Sequence, residues 1–355
     1  MKTIIISSGG TGGHVVPAQV LYDYLADYYE IIITSDQRGM NYLDKKKYRI
    51  KQIEVPKISK NLISFIPFII LFILSVIKSF LFLKKNKIKI LISTGGYMSL
   101  PICIAARILS LKILLFEPNL VLGRANLLIL NYCHKILTYS SKIRNLPKKM
   151  KHKNFVIKPL IRKDFFLSKN RSKYKKNIFS ILIIGGSQGA KKFDHLFTKD
   201  LIKLSKNYKV KIFHQTNDHN IKKLKNFYIS RNINSHVFSY TNKLYKIIQK
   251  SDFVISRSGA STINELVFLE KPFLAVPFPF ATDDHQFYNA RYYVNKKFGW
   301  LIRENNLKEN YLYKFVTNLI KNKHLLSQKR KNMRKFHKEY NWHKNSNHLK
   351  NIIIK

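Results

Sequence analysis

Six short stretches of this sequence carry residue types and spacings that could do chemistry. Gly9-Gly10-Thr11-Gly12-Gly13-His14 lets a backbone approach a ligand closely, and the amides of a helix starting there would meet an anion. The pattern is not the dinucleotide fingerprint, because Val15 stands where its last glycine belongs, and no phosphate-binding GxxxxGK[ST] occurs. A tight turn needs fewer glycines, so a diphosphate or sugar site is expected. Thr94-Gly95-Gly96-Tyr97 and Phe116-Glu117-Pro118-Asn119 form two further polar turns after apolar runs. Gly185-Gly186-Ser187-Gln188-Gly189-Ala190 offers a hydroxyl and amides suited to a nucleotide phosphate. Arg257-Ser258-Gly259-Ala260-Ser261-Thr262 opens a helix carrying Glu265, whose carboxylate could accept both hydroxyls of a ribose. The Thr262/Glu265 spacing equally fits a capping box. Asp283-Asp284-His285-Gln286 with Asn289 suits sugar hydroxyls better than a metal, since adjacent carboxylates rarely converge on one ion.

Those stretches need elements to hold them, and the chain alternates strand with helix. Strands are expected at Thr3–Ser8, Glu30–Thr34, Ile88–Ser93 and Lys112–Phe116, with helices at Ala18–Tyr28 and Pro101–Leu109. The pattern restarts after Lys158-Pro159, with strands at Phe179–Ile184, Lys209–His214, His236–Phe238, Phe253–Ser256 and Leu274–Pro277. The expected class is α/β: two Rossmann-like lobes whose parallel sheets face a central cleft, over residues 1–157 and 158–322. A basic helical tail, 323–355, is expected to pack back on the first lobe. In such sheets ligands sit beyond the carboxyl ends of strands, and the polar turns all fall there.

Composition is less specific. The 355 residues hold 45% hydrophobic side chains, enough for two cores, which excludes a disordered chain. Lys and Arg number 65 against 19 Asp and Glu, a net charge of +46. Because lysine is spread through loops and helices alike, compositional drift accounts for this better than a dedicated nucleic-acid surface, and no specific nucleic acid is expected. The excess still favours an anionic membrane surface. Cys103 and Cys133 lack metal or redox spacing and read as core residues of a reduced cytosolic protein. Leu62–Ile77 is uncharged but short of the ~20 residues that span a bilayer, so a buried helix or one dipping into the membrane interface is expected. Lys78, Lys84 and Lys85 would lie near headgroups, with Phe68 and Phe72 turned outward.

In order and wording, GGTGGH, TGGY, FEPN, GGSQGA, RSGASTINE and DDHQFYNA resemble the MurG family of glycosyltransferases over residues 1 to 300. The resemblance implies the GT-B fold and inverting transfer of N-acetylglucosamine from UDP-N-acetylglucosamine to an undecaprenyl-linked muramyl-pentapeptide, without metal or cofactor. It implies a peripheral enzyme on the cytoplasmic membrane face, with cell-wall synthesis proteins as partners. The first lobe would bind the acceptor and the second the donor. Donor contacts would fall on Thr11, Gly12, Gly13, Asn119, Arg162 and Ser187, on Thr241, on Ala260, Ser261, Thr262, Ile263, Asn264 and Glu265, and on Gln286. Tyr97 would lie on the acceptor side. Where the family has His-Glu-Gln-Asn this chain has Phe116-Glu117-Pro118-Asn119, and His285 replaces a common glutamine. His14 is the candidate base and Glu117 its rival. Another UDP-sugar transferase, an epimerase on the same scaffold, or a basic nucleic-acid-binding protein are the other readings.

Overall fold

The computed structural model describes residues 1–56, 65–168, 178–186, 193–241, 243–338 and 340–354. The chain divides into two units, one of residues 1–160 with 341–355, the other of 161–340.

The first unit is built on seven parallel strands. They are β1 (Lys2–Ser7), β2 (Tyr29–Ser35), β3 (Ile50–Gln52), β4 (Ile90–Ser93), β5 (Lys112–Glu117), β6 (Lys135–Thr138) and β7 (Asn154–Val156), in spatial order β3-β2-β1-β4-β5-β6-β7. Every strand runs parallel because each return passes through a crossover. Both faces are therefore covered, and the strands are continuous apolar runs. Ile4 and Ile6 point into one core with Leu21 and Tyr24. Ile5, between them, points into the other with Ile102 and Leu115. The helices are α1 (Gly12–Leu25), α2 (Gln37–Met40), α3 (Phe65–Lys85), α4 (Leu100–Ile108) and α5 (Arg124–Ile129).

The second unit repeats the plan with α6 (Lys163–Ser168) and six parallel strands. These are β8 (Phe179–Ile184), β9 (Val210–Gln215), β10 (Ser235–Phe238), β11 (Phe253–Ser256), β12 (Phe273–Ala275) and β13 (Gly299–Leu301), ordered β10-β9-β8-β11-β12-β13. Its helices continue as α7 (Thr198–Asn207), α8 (Ile221–Ile229), α9 (Leu244–Lys250), α10 (Ala260–Phe268), α11 (His285–Asn295), α12 (Tyr311–Lys321) and α13 (His324–His337). The last helix, α14 (Trp342–Ile354), belongs to the first unit.

The basic stretch after residue 322 is thus divided between the units. In α14, Leu349, Ile352 and Ile353 join the core beneath α1. The Trp342 ring lies 4.0 Å from that of Tyr24. Lys112 Nζ donates to the Ile353 carbonyl at 2.9 Å and Lys135 Nζ to that of Ile352 at 2.7 Å, so two lysines satisfy the carbonyls this helix end leaves open.

α1 begins at Gly12, six residues before the sequence pattern placed it, because the glycines and histidine of its first turn carry no apolar periodicity. Four short strands went unread, β3, β7 and β13 of three residues each and β6 of four, because runs so short carry no pattern of their own.

Candidate active site

In each sheet the strand order reverses once, between β1 and β4 in the first unit and between β8 and β11 in the second. The Gly-rich turns leave those four strands, so each pair flanks the crevice where open α/β sheets hold ligands.

In the first unit the turn after β1 is held by Asp36, which the sequence reading passed over. Its Oδ1 accepts from the Gly10 amide at 2.6 Å and from the Gly39 amide at 3.1 Å, so one buried carboxylate ties the turn to the start of α2. A carboxylate directly after an apolar strand was the available signal. Gly9 is pressed against the turn after β4: a Cβ there would stand 2.5 Å from Met98 Cβ. Thr11 is the N-cap of α1 in extended conformation, with no side-chain cap bond. The amides of Gly12 and Gly13 therefore open the first turn at the positive end of a fourteen-residue helix, an arrangement suited to an anion.

His14 lies in that same turn, half-buried. Its Nδ1 is 2.9 Å from the carbonyl oxygen of Thr94, which can only accept. Nδ1 therefore carries the hydrogen and Nε2 keeps its lone pair, the tautomer a general base requires. The Thr94 hydroxyl donates to the His14 carbonyl at 3.0 Å, so one residue at the end of β4 fixes both the backbone and the ring.

Gly96 has φ +84°, and a Cβ there would approach His14 Cδ2 to 3.1 Å. Gly96→Ala is expected to combine backbone strain of about 1–2 kcal/mol with a displaced imidazole. The melting temperature should fall and the His14 ring resonance should shift in NMR spectra; an unchanged ring signal would refute the coupling.

Glu117 has a different environment. It is 3% exposed, and among the described residues its carboxylate accepts from the loop that follows β5 and from the start of α5. Oε1 accepts from the Asn119 amide at 3.1 Å and Asn119 Nδ2 at 2.8 Å, and Oε2 from the Gly123 amide at 2.9 Å and Asn126 Nδ2 at 3.0 Å. Four donors on one carboxylate shape the loop and orient Asn119, and they occupy the lone pairs that a proton taken from a substrate would need. Tyr97 packs beneath α3, its ring 6.5 Å from Phe68 and 6.2 Å from Phe72, so those two phenylalanines face inward rather than outward.

In the second unit the capping-box reading fails. The N-cap of α10 is Gly259, which puts Thr262 inside the helix. Glu265 instead takes a two-pronged bond from Arg162: Nε to Oε1 at 2.6 Å and the terminal nitrogen to Oε2 at 2.8 Å. Burial opposes the charged guanidinium, and the carboxylate more than offsets it, so the Arg162 pKa is raised. Ala260, Ser261 and Thr262 are partly exposed in the first turn of α10. Ile263 and Asn264 are buried; Ile263 sits in the core and Asn264 accepts from the Tyr293 hydroxyl, so their side chains are committed to the interior of the unit. Gln286 Oε1 accepts from the Ser258 amide at 3.1 Å and the Phe278 amide at 3.0 Å, and Asn289 Nδ2 donates to the Ser258 carbonyl at 3.2 Å. α11 thus clamps the turn after β11, and the Gln286 amide nitrogen is the group left for a hydroxyl. Thr241 caps the backbone of Lys243 at 3.1 Å. Ser187 lies outside the described residues.

Arg257 was read only as the start of its motif. It is buried, donates to the Pro277 carbonyl at 3.0 Å and pairs with Glu304 at 2.7 Å, joining the ends of β11 and β12. Glu304 lies 47 residues away and offered no local signal. Asp284 pairs with Arg303 at 2.6 Å, and among the described residues no group of three His, Cys, Asp or Glu gathers as a metal site.

Two Rossmann-like units with parallel sheets and glycine-containing turns at both reversal points have the GT-B fold, and comparison with known proteins gives the class: a family 28 glycosyltransferase. Residues 4–138 match the glycosyltransferase family 28 N-terminal domain and residues 180–344 its C-terminal domain. The chain is 47% identical to the UDP-N-acetylglucosamine–N-acetylmuramyl-(pentapeptide) pyrophosphoryl-undecaprenol N-acetylglucosamine transferase of Pelagibacter ubique (strain HTCC1062), over 99% of this chain and 98% of that one. It is 33% identical to the protein of the same name from Rickettsia felis, over 96% of each. Acinetobacter baumannii MurG shares the fold, with a TM-score of 0.75 at 22% identity over 99% of both chains. The chain belongs to the MurG family of glycosyltransferases.

Proposed function

We propose that this chain transfers N-acetylglucosamine from UDP-N-acetylglucosamine to undecaprenyl-pyrophosphoryl-N-acetylmuramyl-pentapeptide, lipid I, giving lipid II for peptidoglycan synthesis. Likeness to the family along nearly the whole chain, through the turns of both sheets, carries this reading over an epimerase or a nucleic-acid-binding protein.

His14 Nε2 removes the proton as the acceptor hydroxyl oxygen attacks the sugar's anomeric carbon. The carbon–oxygen bond to the diphosphate breaks on the opposite face, and UDP leaves with that electron pair. Amides at the start of α10, together with Ser187, take the charge growing on the diphosphate. Thr11, Gly12, Gly13 and Asn119 are further donor contacts in this reading. Glu265 accepts the ribose hydroxyls, and Gln286 reaches the sugar, with Thr241 and the backbone of Ala260–Asn264 completing the pocket. Tyr97 stands on the acceptor side. Glu117 acts as the anchor of Asn119 rather than as the base.

The outer face of α3 serves as the membrane contact. Ile66, Ile70, Leu71, Ile73 and Ile77 are 48–68% exposed along it. By length and composition the helix could cross a bilayer, with 17% of its apolar window buried. Its other face is committed to the protein: Phe72, Val76 and Phe80 pack on the core beside α4, and Ser75 Oγ donates to the Glu54 carbonyl at 2.6 Å. A spanning orientation would strip that face from its core, so α3 lies along the interface. Lys84, Lys87 and Lys89 line a cavity of about 670 Å³ beyond its C-terminal end and would meet anionic headgroups at the cytoplasmic surface.

The direct test is product analysis with UDP-N-acetylglucosamine, with and without the lipid-linked acceptor. Acceptor-dependent appearance of a disaccharide-lipid is expected; epimerised UDP-sugar without acceptor would overturn the assignment.

A further inference from the structure

Of the two charged residues in the candidate donor pocket, only one has to touch the donor. Arg162 and Glu265 meet side by side, both guanidinium contacts within 2.8 Å, with the carboxylate side chain 5% exposed and the guanidinium side chain 18%. We infer that Arg162 is a positioning residue: it locks the Glu265 carboxylate in the orientation that reads the ribose diol, and does not serve as the counter-ion of the diphosphate. The inference rests on the proposed role of Glu265 at the ribose.

Three observations carry it. A carboxylate offers about four lone-pair directions; the fork occupies one on each oxygen and leaves one on each. Two vicinal hydroxyls need that remaining pair, and they need the carboxylate plane fixed. Glu265 cannot fix itself, because it sits in the second turn of α10 on a side chain with three rotatable bonds, and no other partner holds its oxygens among the described residues. Arg162 is itself held by packing: its guanidinium lies over the Phe165 ring at 4.4 Å, within the turn that begins α6. Finally, the pair is close to neutral as a unit. A guanidinium with a buried carboxylate within 2.8 Å presents little net charge to a phosphate. A lysine would keep the charge but lose the planar fork.

The two roles differ in which part of the ligand Arg162 senses. Calorimetry would compare UDP, 2′-deoxy-UDP and UMP on the full-length chain, as wild type and as E265A, R162Q and R162K. Wild type should prefer UDP over 2′-deoxy-UDP by about tenfold or more, the scale of one hydrogen bond to a charged group. E265A should bring that ratio near one. R162Q and R162K should do the same while retaining the preference for UDP over UMP. If R162Q does not fold, R162K carries the test, since it keeps the positive charge.

Retention of the 2′-hydroxyl preference in R162K, with a loss of the preference for UDP over UMP, would overturn the inference and make Arg162 a phosphate contact. A 2′-hydroxyl preference that survives in E265A would remove the ribose role of Glu265, and the inference with it. The two failures are told apart by which variant keeps the ratio.

Discussion

His14→Ala is expected to lower turnover by about 10²–10⁴-fold while leaving UDP binding within about twofold, as for loss of a general base that does not hold the donor. The size of the effect follows from the geometry. The Thr94 carbonyl at 2.9 Å sets the tautomer, and the Thr94 hydroxyl at 3.0 Å holds the backbone, so no neighbouring group can be substituted at Nε2 without rebuilding the turn. His14→Asn keeps a donor for the Thr94 carbonyl and should lose as much activity, which separates proton transfer from loop support. Single-turnover assays with the lipid-linked acceptor, alongside UDP calorimetry, read both quantities. Turnover within a few fold of wild type would remove His14 from the chemistry.

Glu117→Gln provides the contrast. Its amide would turn a donor toward at least one of the four donors now satisfied, at a cost of about 1–3 kcal/mol. Thermal unfolding should shift before activity does. The reverse pattern, full stability with turnover lost, would return Glu117 to the role of base.

The second large effect is expected at the membrane. Ile70→Glu with Ile77→Glu places two carboxylates on the outer face of α3, at positions 55% and 48% exposed. Vesicle flotation with phosphatidylglycerol-rich liposomes should fall more than tenfold, because each change removes apolar insertion and adds repulsion from anionic headgroups. Melting temperature and turnover on a water-soluble acceptor analogue should not change, since neither side chain packs on the core. Phe72→Glu should instead destabilise the fold, because Phe72 meets Tyr97 and the core beside α4. Equal flotation of the folded double variant would take α3 off the membrane contact.

The inward orientation of Phe68 and Phe72 shows where sequence reading stops. An unbroken apolar run such as Leu62–Ile77 has no polar face to set its phase, and only packing against α4 decides which side is buried. The start of α1 was obscured for a related reason. Its first turn is made of Gly12, Gly13 and His14, which carry no apolar helical periodicity. By contrast β1, β8 and β11 were legible because buried parallel strands are apolar on both faces and end abruptly at polar turns.

By itself the sequence determined the α/β class, two sheets each opened by a strand and a Gly-rich turn, the family and the short polar stretches proposed for the site. Those are local features: residue type, spacing, and where an apolar run gives way to glycine. The tertiary structure alone decided what each charged or polar side chain faces. It bound the Glu117 carboxylate to the Gly123 amide and brought Asp36 to the Gly10 amide. It set Thr94 against His14 across 80 residues and joined Arg162 to Glu265 across 103. Hydrogen-bond partners so distant in sequence leave no local pattern, because parallel strands joined by crossovers bring remote turns to one sheet edge.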